Sequence, residues 1–290
     1  MPSDRYSRPR PTIRVVSGTE TGAGPADEPA AAAFDPTVAS SARIYDYWLG
    51  GKDNFAADRE AAEQAIAANP GIVADVRANR GFLARAVRFL AREGGIRQFL
   101  DIGTGLPTAS NTHQVAQEVA PSSRIVYVDN DPVVLAHAKA LLTSTPEGAT
   151  AYLDHDLRDV GPIQAGASAT LDLTRPVAVM LLIVLHLIPD AEQPHVLVAQ
   201  LMDRLAPGSY LVISHPANDI RPAAMAEMAR RVNARLGPAK GTMRDRADVA
   251  RFFDGLTLLE PGVVQPQQWR PESGLSPAEV TAWCGVARKT

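Results

Sequence analysis

The chain has 290 residues, 46% of them hydrophobic and 21% charged, and a formal net charge of -3, the profile of a soluble globular protein with one sizeable core. Without a basic excess it lacks the electrostatic footprint of a nucleic-acid or anionic-membrane binder, which favours small-molecule partners. The single cysteine, Cys284, excludes an internal disulfide, leaves no Cys/His cluster for a structural metal and fits a reducing cytoplasm, while no apolar run reaches the roughly 18 residues of a membrane span and no secretory signal is present.

Residues 1–35 are rich in Pro, Gly, Ala and charge, with too little clustered apolar surface to offset the entropy of ordering, and read as a disordered tail. Residues 36–93 form a helical lead-in. Its segment YDYWLGGKDNF, residues 45–55, sets three aromatics before a Gly-Gly pair and one after it, which suits a loop or broken helix better than a regular element. Folded over a ligand mouth, it would offer Tyr45, Tyr47, Trp48 and Phe55 as walls and Lys52, Asp53 and Asn54 as polar contacts; packing of the aromatics against the domain is the alternative. From about residue 58 to 93, Val73, Val76, Leu83, Val87 and Leu90 recur at helical spacing, and NPG at 69–71 divides this stretch into two helices.

From residue 94 to the end, short apolar runs alternate with helical stretches. Strands are predicted over 97–103, 124–130, 150–156, 176–188 and 208–215, and helices over 108–120, 131–144 and 190–207. Two further helices, 221–237 and 246–255, and two further strands, 256–264 and 281–289, complete the chain. The alternation implies βαβ units and a parallel sheet with right-handed crossovers. Asp131 before Pro132 is an N-cap followed by proline at the first helical position, and Asp190 is placed to cap the helix after the fourth strand.

In such sheets a ligand binds beyond the carboxyl ends of the strands, above the first βα loop. That loop here is DIGTGLPT, residues 101–108, in which Gly103 and Gly105 permit a sharp turn and a close approach of backbone to ligand. The next strand ends in Asp129, near the position of the acidic residue that accepts ribose hydroxyls in nucleotide-binding folds, about 20 residues on. The third strand ends among Asp154, Asp156 and Asp159, where a carboxylate and a backbone amide could bracket an adenine edge. The dinucleotide pattern G-x-G-x-x-G fails, because Thr108 stands where its third glycine belongs.

This set resembles the class I S-adenosylmethionine-dependent methyltransferases, whose motifs are matched by Asp101, Gly103 and Gly105, by Asp129, and by Asp156 with Leu157. Pro107 departs from a further glycine that many members carry. The segments SARIYDYWLGGKDNFAADREAAEQ, ANRGFLARAVRFL, FLDIGTGLPT, HQVAQEVAPSSRIVYVDNDPVVLAHAKALL and LLIVLHLIPD, in this order, are similar to an actinobacterial S-adenosyl methyltransferase family once described only as a domain of unknown function. The resemblance runs from about residue 40 to the C-terminus. It implies an α/β, Rossmann-like class I methyltransferase fold: a seven-stranded, mostly parallel sheet with helices on both faces and an N-terminal helical lid. It also implies S-adenosylmethionine as cofactor, S-adenosylhomocysteine as product, and a cofactor site drawn from Asp101, Gly103, Thr104, Gly105, Asp129, Asn130, Asp156 and Leu157, with Tyr47, Trp48, Gly51 and Asn54 from the lead-in.

Methyl transfer depends on positioning and desolvation, and needs a base only when the acceptor starts protonated. His186, ending the fourth strand, is the candidate base, ahead of His215 and His155. No NPPY-like motif for an amide or base nitrogen is present. The leading expectation is a methyltransferase acting on a small molecule. A non-catalytic module that senses S-adenosylmethionine or S-adenosylhomocysteine is the alternative, and an NAD-dependent oxidoreductase is disfavoured by Thr108 and by the lack of a separate catalytic domain.

Overall fold

The computed structural model describes residues 14–16, 35–108, 110–141, 143–236, 241–271 and 278–290. Apart from Arg14–Val16, the predicted disordered tail lies outside the described residues up to residue 35. The chain order is β1 (Arg14–Val16), α1 (Ser41–Trp48), α2 (Ala56–Ala68), α3 (Ile72–Arg92), β2 (Gln98–Ile102), α4 (Thr112–Val119), β3 (Arg124–Asp129), α5 (Pro132–Leu141), β4 (Ala149–Asp154) and α6 (Val160–Ala167). It continues through β5 (Ala178–Leu182), α7 (Pro194–Asp203), β6 (Tyr210–Pro216), α8 (Pro222–Asn233), α9 (Arg246–Arg251), β7 (Thr257–Leu258) and β8 (Ala282–Arg288).

The strands form one sheet in the order β1-β4-β3-β2-β5-β6-β8-β7. The pairs from β1 to β6 are parallel, and β8 enters antiparallel between β6 and β7. The seven strands predicted from the sequence are therefore present, with β1 added at one edge. Strand order reverses at β2, which lies between β3 and β5 and so opens a crevice at its carboxyl end.

Successive side chains on a strand point to opposite faces, and both faces here are covered. Phe99, Ile125, Tyr127, Met180 and Val212 pack with Phe82, Leu83, Ala86, Val87 and Leu90 of α3 on one side. Leu100, Ile102, Val126, Val128 and Val179 pack with residues of α6, α7 and α9 on the other. Trp269 is fully buried edge-on against Phe82 and Phe89, and Arg85 donates to the carbonyls of Trp269 and Pro266, fixing α3 to the segment before β8.

Of the loop or broken helix expected over 45–55, the structure takes the broken helix: α1 runs regularly to Trp48 with Ile44 and Arg43 buried, and the Gly-Gly pair interrupts the chain before α2 begins at Ala56. Several local expectations are corrected. The fourth strand stops at Leu182, where Ile183 takes a left-handed φ of 53° and a 3₁₀ turn, Leu185–Leu187, follows. Asp190 does not cap α7. It opens a separate 3₁₀ turn and pairs with Arg244, and α7 begins at Pro194 after Gln193. Helix α4 begins four residues later than expected, where Asn111 and Gln114 cap it reciprocally. The predicted strand over 256–264 shrinks to Thr257–Leu258. Helix α6 has weak formers, VGPIQAGA, and was not expected, yet its Val160, Ile163 and Ala167 are buried at helical spacing.

Candidate functional site

A cavity of about 440 Å³ opens at the carboxyl ends of β2, β3, β4 and β5. Its floor is the β2–α4 loop. Gly103 and Gly105 have φ of +73° and +62°, a region costly for residues with a Cβ. At Gly103 an added Cβ would stand 2.3 Å from Val184 Cγ2, whereas at Gly105 it would meet nothing within 4 Å. The loop thus turns tightly against Val184 and leaves Gly105 facing open space.

Two carboxylates flank this loop. Asp101 is buried and accepts a 2.6 Å hydrogen bond from the Thr112 hydroxyl, and burial pushes its carboxyl up to about 6. Asp129 accepts from the Gly105 amide at 2.8 Å, and from the Asn130 and Asp131 amides at 2.9 and 3.1 Å. Burial outweighs these bonds and raises its carboxyl to about 6 as well. Asn130 donates to Asp156, which also accepts from the amide and guanidinium of Arg158. Leu157 is buried in the core beside it. Thr104 completes the loop, its hydroxyl donating to the Gly105 carbonyl. All these sequence-predicted residues line the one cavity, as does His186.

The roof of the cavity is helical. Ala39, Ile44, Ala61, Ala62 and Leu236 form one small core between α1, α2 and the end of α8, and Ala65, Ile72, Met225 and Met228 form a second. Trp48 packs into both, and its indole donates to the Ala62 carbonyl. The roof is tied to the floor at Asp131, which accepts from the Ser40 hydroxyl and lies 3.6 Å from Arg43. Arg43 in turn holds the fully buried Asp58 at 2.8 Å. Asp131 is also the predicted cap of α5, accepting from the Val133 amide.

The structure divides the predicted lead-in contacts. Tyr45 and Trp48 line the cavity; Tyr47, Gly51 and Asn54 do not, nor do Lys52, Asp53 and Phe55. The Tyr47 hydroxyl pairs with Glu63. Asn54 and the Asp53 amide donate to the buried Asp46 carboxylate, and Gly51 passes so near it that a Cβ would overlap Asp46. Asp53 bridges instead to His137 on α5 at 3.3 Å.

Of the three histidines, His215 is held between the Pro216 carbonyl and Arg244, both at ring nitrogens. His155 lies on the cavity wall, 3.9 Å from Asp159. His186 lines the cavity with its Nδ1 buried and without a hydrogen-bond partner, and burial, helped by Arg244, lowers its imidazolium to about 4. The sequence reading missed Arg80, Asn79, Ser40, Asp131 and the α8 residues Met225, Met228 and Val232, all of which line the cavity. Asp131 had a local signal, the Asp-Pro pair, but was read only as a cap. Among the described residues no group of three or more His, Cys, Asp or Glu is arranged to hold a metal ion, and no helix is long and apolar enough to cross a membrane.

No match was found among curated protein sequences. A solved structure of a DUF574 family protein from Streptomyces avermitilis MA-4680 is 44% identical over 87% of this chain and 98% of its own, with a TM-score of 0.83. A candidate methyltransferase from Thermobifida fusca YX is 40% identical over 88% of this chain and 96% of its own, with a TM-score of 0.80. The family model described as S-adenosyl methyltransferase matches residues 27–290, taking in the lead-in as well as the sheet. The glycine loop, the acidic strand ends and the helical roof are thus parts of one inherited unit, and the chain belongs to the S-adenosyl methyltransferase family.

Proposed function

We propose that the protein is an S-adenosylmethionine-dependent methyltransferase that methylates a small-molecule acceptor, working in the cytoplasm. The observation that carries this reading is the meeting, in one roofed cavity, of the Gly103–Gly105 turn with Asp101, Asp129 and Asp156 from three strand ends. The residues fit the cofactor. Gly105 leaves space where a side chain would stand, Asp129 offers a carboxylate to a ribose, and Leu157 with Asp156 offers an apolar surface beside a polar edge for adenine.

Asp129 serves the ribose under a constraint. A carboxylate has about four acceptor sites, and the amides of Gly105, Asn130 and Asp131 occupy three. Accepting two ribose hydroxyls therefore requires one amide to yield, and Gly105, in the open part of the loop, is the one we assign. Arg80 lines the cavity near Asp101 and supplies positive charge for the cofactor's carboxylate.

When bound, S-adenosylmethionine supplies a methyl group activated by a sulfonium. The chain's contribution is to hold the reactants in line and exclude water, which the α1, α2 and α8 roof does. His186 is neutral at physiological pH and serves as a hydrogen-bond partner to the acceptor more than as a strong base.

The test is calorimetric titration of ligand-free protein with S-adenosylmethionine, S-adenosylhomocysteine and NAD. The expected result is saturable binding of both sulfur compounds and none of NAD. Folded protein that binds neither sulfur compound would overturn the reading.

A further inference from the structure

The cavity is larger than its floor, and its second half has a different chemistry. Away from the strand ends, the walls are Ile72 and Val76 of α3, Met225, Met228 and Val232 of α8, and Met243. The polar groups that reach this half are already matched. The Tyr45 hydroxyl accepts from Asn79 and donates to the Val76 carbonyl, and Asn79 also accepts from Ser214. Asp75 accepts from the Thr281 hydroxyl and amide and from Asn69. Asn233 exchanges two hydrogen bonds with Gly241. Asp46 holds the lead-in loop. The exception is His186, whose ring lies against Gly241 and whose buried Nδ1 has no partner.

From this pattern we infer that the half-cavity beneath α3 and α8 is the acceptor site, and that it takes a compact, uncharged, largely apolar molecule carrying a hydroxyl that pairs with His186. The inference names the acceptor class of the methyltransferase reading and rests on it. Three arguments support the class. A charged group moved into an apolar chamber loses its hydration without a partner to replace it, since Asp46 and Asp75 are spent on the chain's own donors. An anion would in addition face those two carboxylates. A cation beside His186 would face Arg244, which lies behind the histidine pair and donates to His215. Methionine side chains are unbranched and polarisable and pack against varied apolar outlines, so Met225, Met228 and Met243 select for apolarity and size rather than for one shape. In the reaction this implies, the acceptor oxygen, its hydroxyl hydrogen-bonded to His186, bonds the methyl carbon as the carbon–sulfur bond breaks, neutral thioether leaves, and the hydroxyl proton is released to solvent.

The test uses 2-naphthol, naphthalene and naphthalene-2-carboxylate as probes, titrated into the full chain with and without S-adenosylhomocysteine, with tryptophan fluorescence and calorimetry as readouts. The expected result is saturable binding of 2-naphthol at least tenfold tighter than of the carboxylate. His186→Phe should reduce the preference for 2-naphthol over naphthalene to within twofold. Val232→Trp, at a half-buried wall position, should weaken 2-naphthol at least tenfold while S-adenosylhomocysteine affinity stays within twofold; if that variant does not fold, Met228→Gln gives the same reading with a smaller change in volume. Absence of saturable 2-naphthol binding, equal binding of the carboxylate, or a folded Val232→Trp protein with unchanged affinity would overturn the inference. Because the probes are read without any methyl transfer, failure of S-adenosylhomocysteine to bind while 2-naphthol binds would overturn the methyltransferase reading and leave the half-cavity a binding site without an acceptor role, whereas the reverse result would overturn the acceptor site alone.

Discussion

The floor of the cavity is made of chain ends: strand termini and a glycine turn whose backbone amides point at carboxylates within a few residues of the predicted motifs. The roof is made of helix faces, drawn from residues 39–79 and 225–236, which meet only in three dimensions. The floor gets its precision from backbone geometry, where a single Cβ is excluded; the roof gets its cohesion from apolar area, where substitutions are absorbed more gradually. The contrast separates a part fixed by backbone shape from a part held together by packed area.

Gly103 is where that contrast breaks most sharply. Gly103→Ala adds left-handed strain to overlap with Val184 and is expected to cost about 2–6 kcal/mol of stability. Gly105→Ala carries only the strain, about 1–2 kcal/mol, but places its methyl in the cavity. Chemical denaturation and cofactor titration of both should separate them: the first loses stability, the second chiefly affinity. Adding Val184→Ala should restore part of the Gly103→Ala loss; equal costs for the two glycines would mean that Val184 is not what fixes the turn.

The buried carboxylates sharpen the picture through pH. The folded-state values of Asp101 and Asp129, both about 6, lie above the ordinary 3.8, so their stabilising contribution is fully present below about pH 4 and is lost as pH rises through 6. Asp101→Asn removes that loss at a 6%-exposed site. It should therefore raise unfolding stability at pH 8 by up to about 3 kcal/mol and leave it nearly unchanged at pH 4. Denaturation midpoints at the two pH values decide this, and a variant no more stable at pH 8 than the native chain would show that Thr112 and Arg80 already compensate the charge.

For binding the sign is opposite. Deprotonated Asp129 is the acceptor a ribose needs, so S-adenosylhomocysteine affinity should fall as pH drops through 6, by at most tenfold per unit. Asp129→Ala should weaken it 10- to 100-fold at pH 8, since hydrogen bonds to a charged group are worth about 1.5–3 kcal/mol. Calorimetry over pH 5–8 checks both. Affinity in a folded variant equal to that of the native chain would leave Asp129 as a loop anchor alone.

These residues were legible because their signals are local. DIGTG, the acid ending β3 and the acid after β4 each sit within one strand and its loop, where residue type dictates backbone shape and charge. The parallel pairing of the sheet followed from the same alternation. The roof left no such trace. Met225 and Met228 face Ile72 across more than 150 positions of sequence, and nothing in AAMAEMARRV distinguishes a helix that covers a cavity from one that covers a sheet. Lead-in aromatics were readable as walls in general, but which of them face inward depends on the register of α1. Helix α6 was hidden for another reason: two glycines and a proline in eight residues hold its propensity down, and burial supplies what propensity lacks.

The joint between floor and roof gives a smaller effect. Ser40→Ala removes one hydrogen bond to Asp131 and should cost about 1 kcal/mol, read as faster amide exchange in α1 with no change in β2. Asp131→Ser keeps a cap for α5 but lets go of Arg43, so it should speed exchange in α1 at least as much; exchange in α1 unchanged in both variants would mean that the apolar contacts of α1 and α8 hold the roof unaided.

The smallest expected effect falls on a residue that the sequence assigned to the cofactor. Tyr47 sits one position from Trp48 in α1, yet only Trp48 lines the cavity. Its hydroxyl is spent on Glu63 at an exposed position, where such a pair contributes little. Tyr47→Phe should accordingly leave S-adenosylhomocysteine affinity within twofold of the native chain, while Trp48→Ala, which loses a cavity wall and the bond to Ala62, should weaken it several-fold. Were the two variants to lose affinity equally, α1 would have to rotate when the cofactor binds, and the roof would be a moving part of the floor's own ligand site.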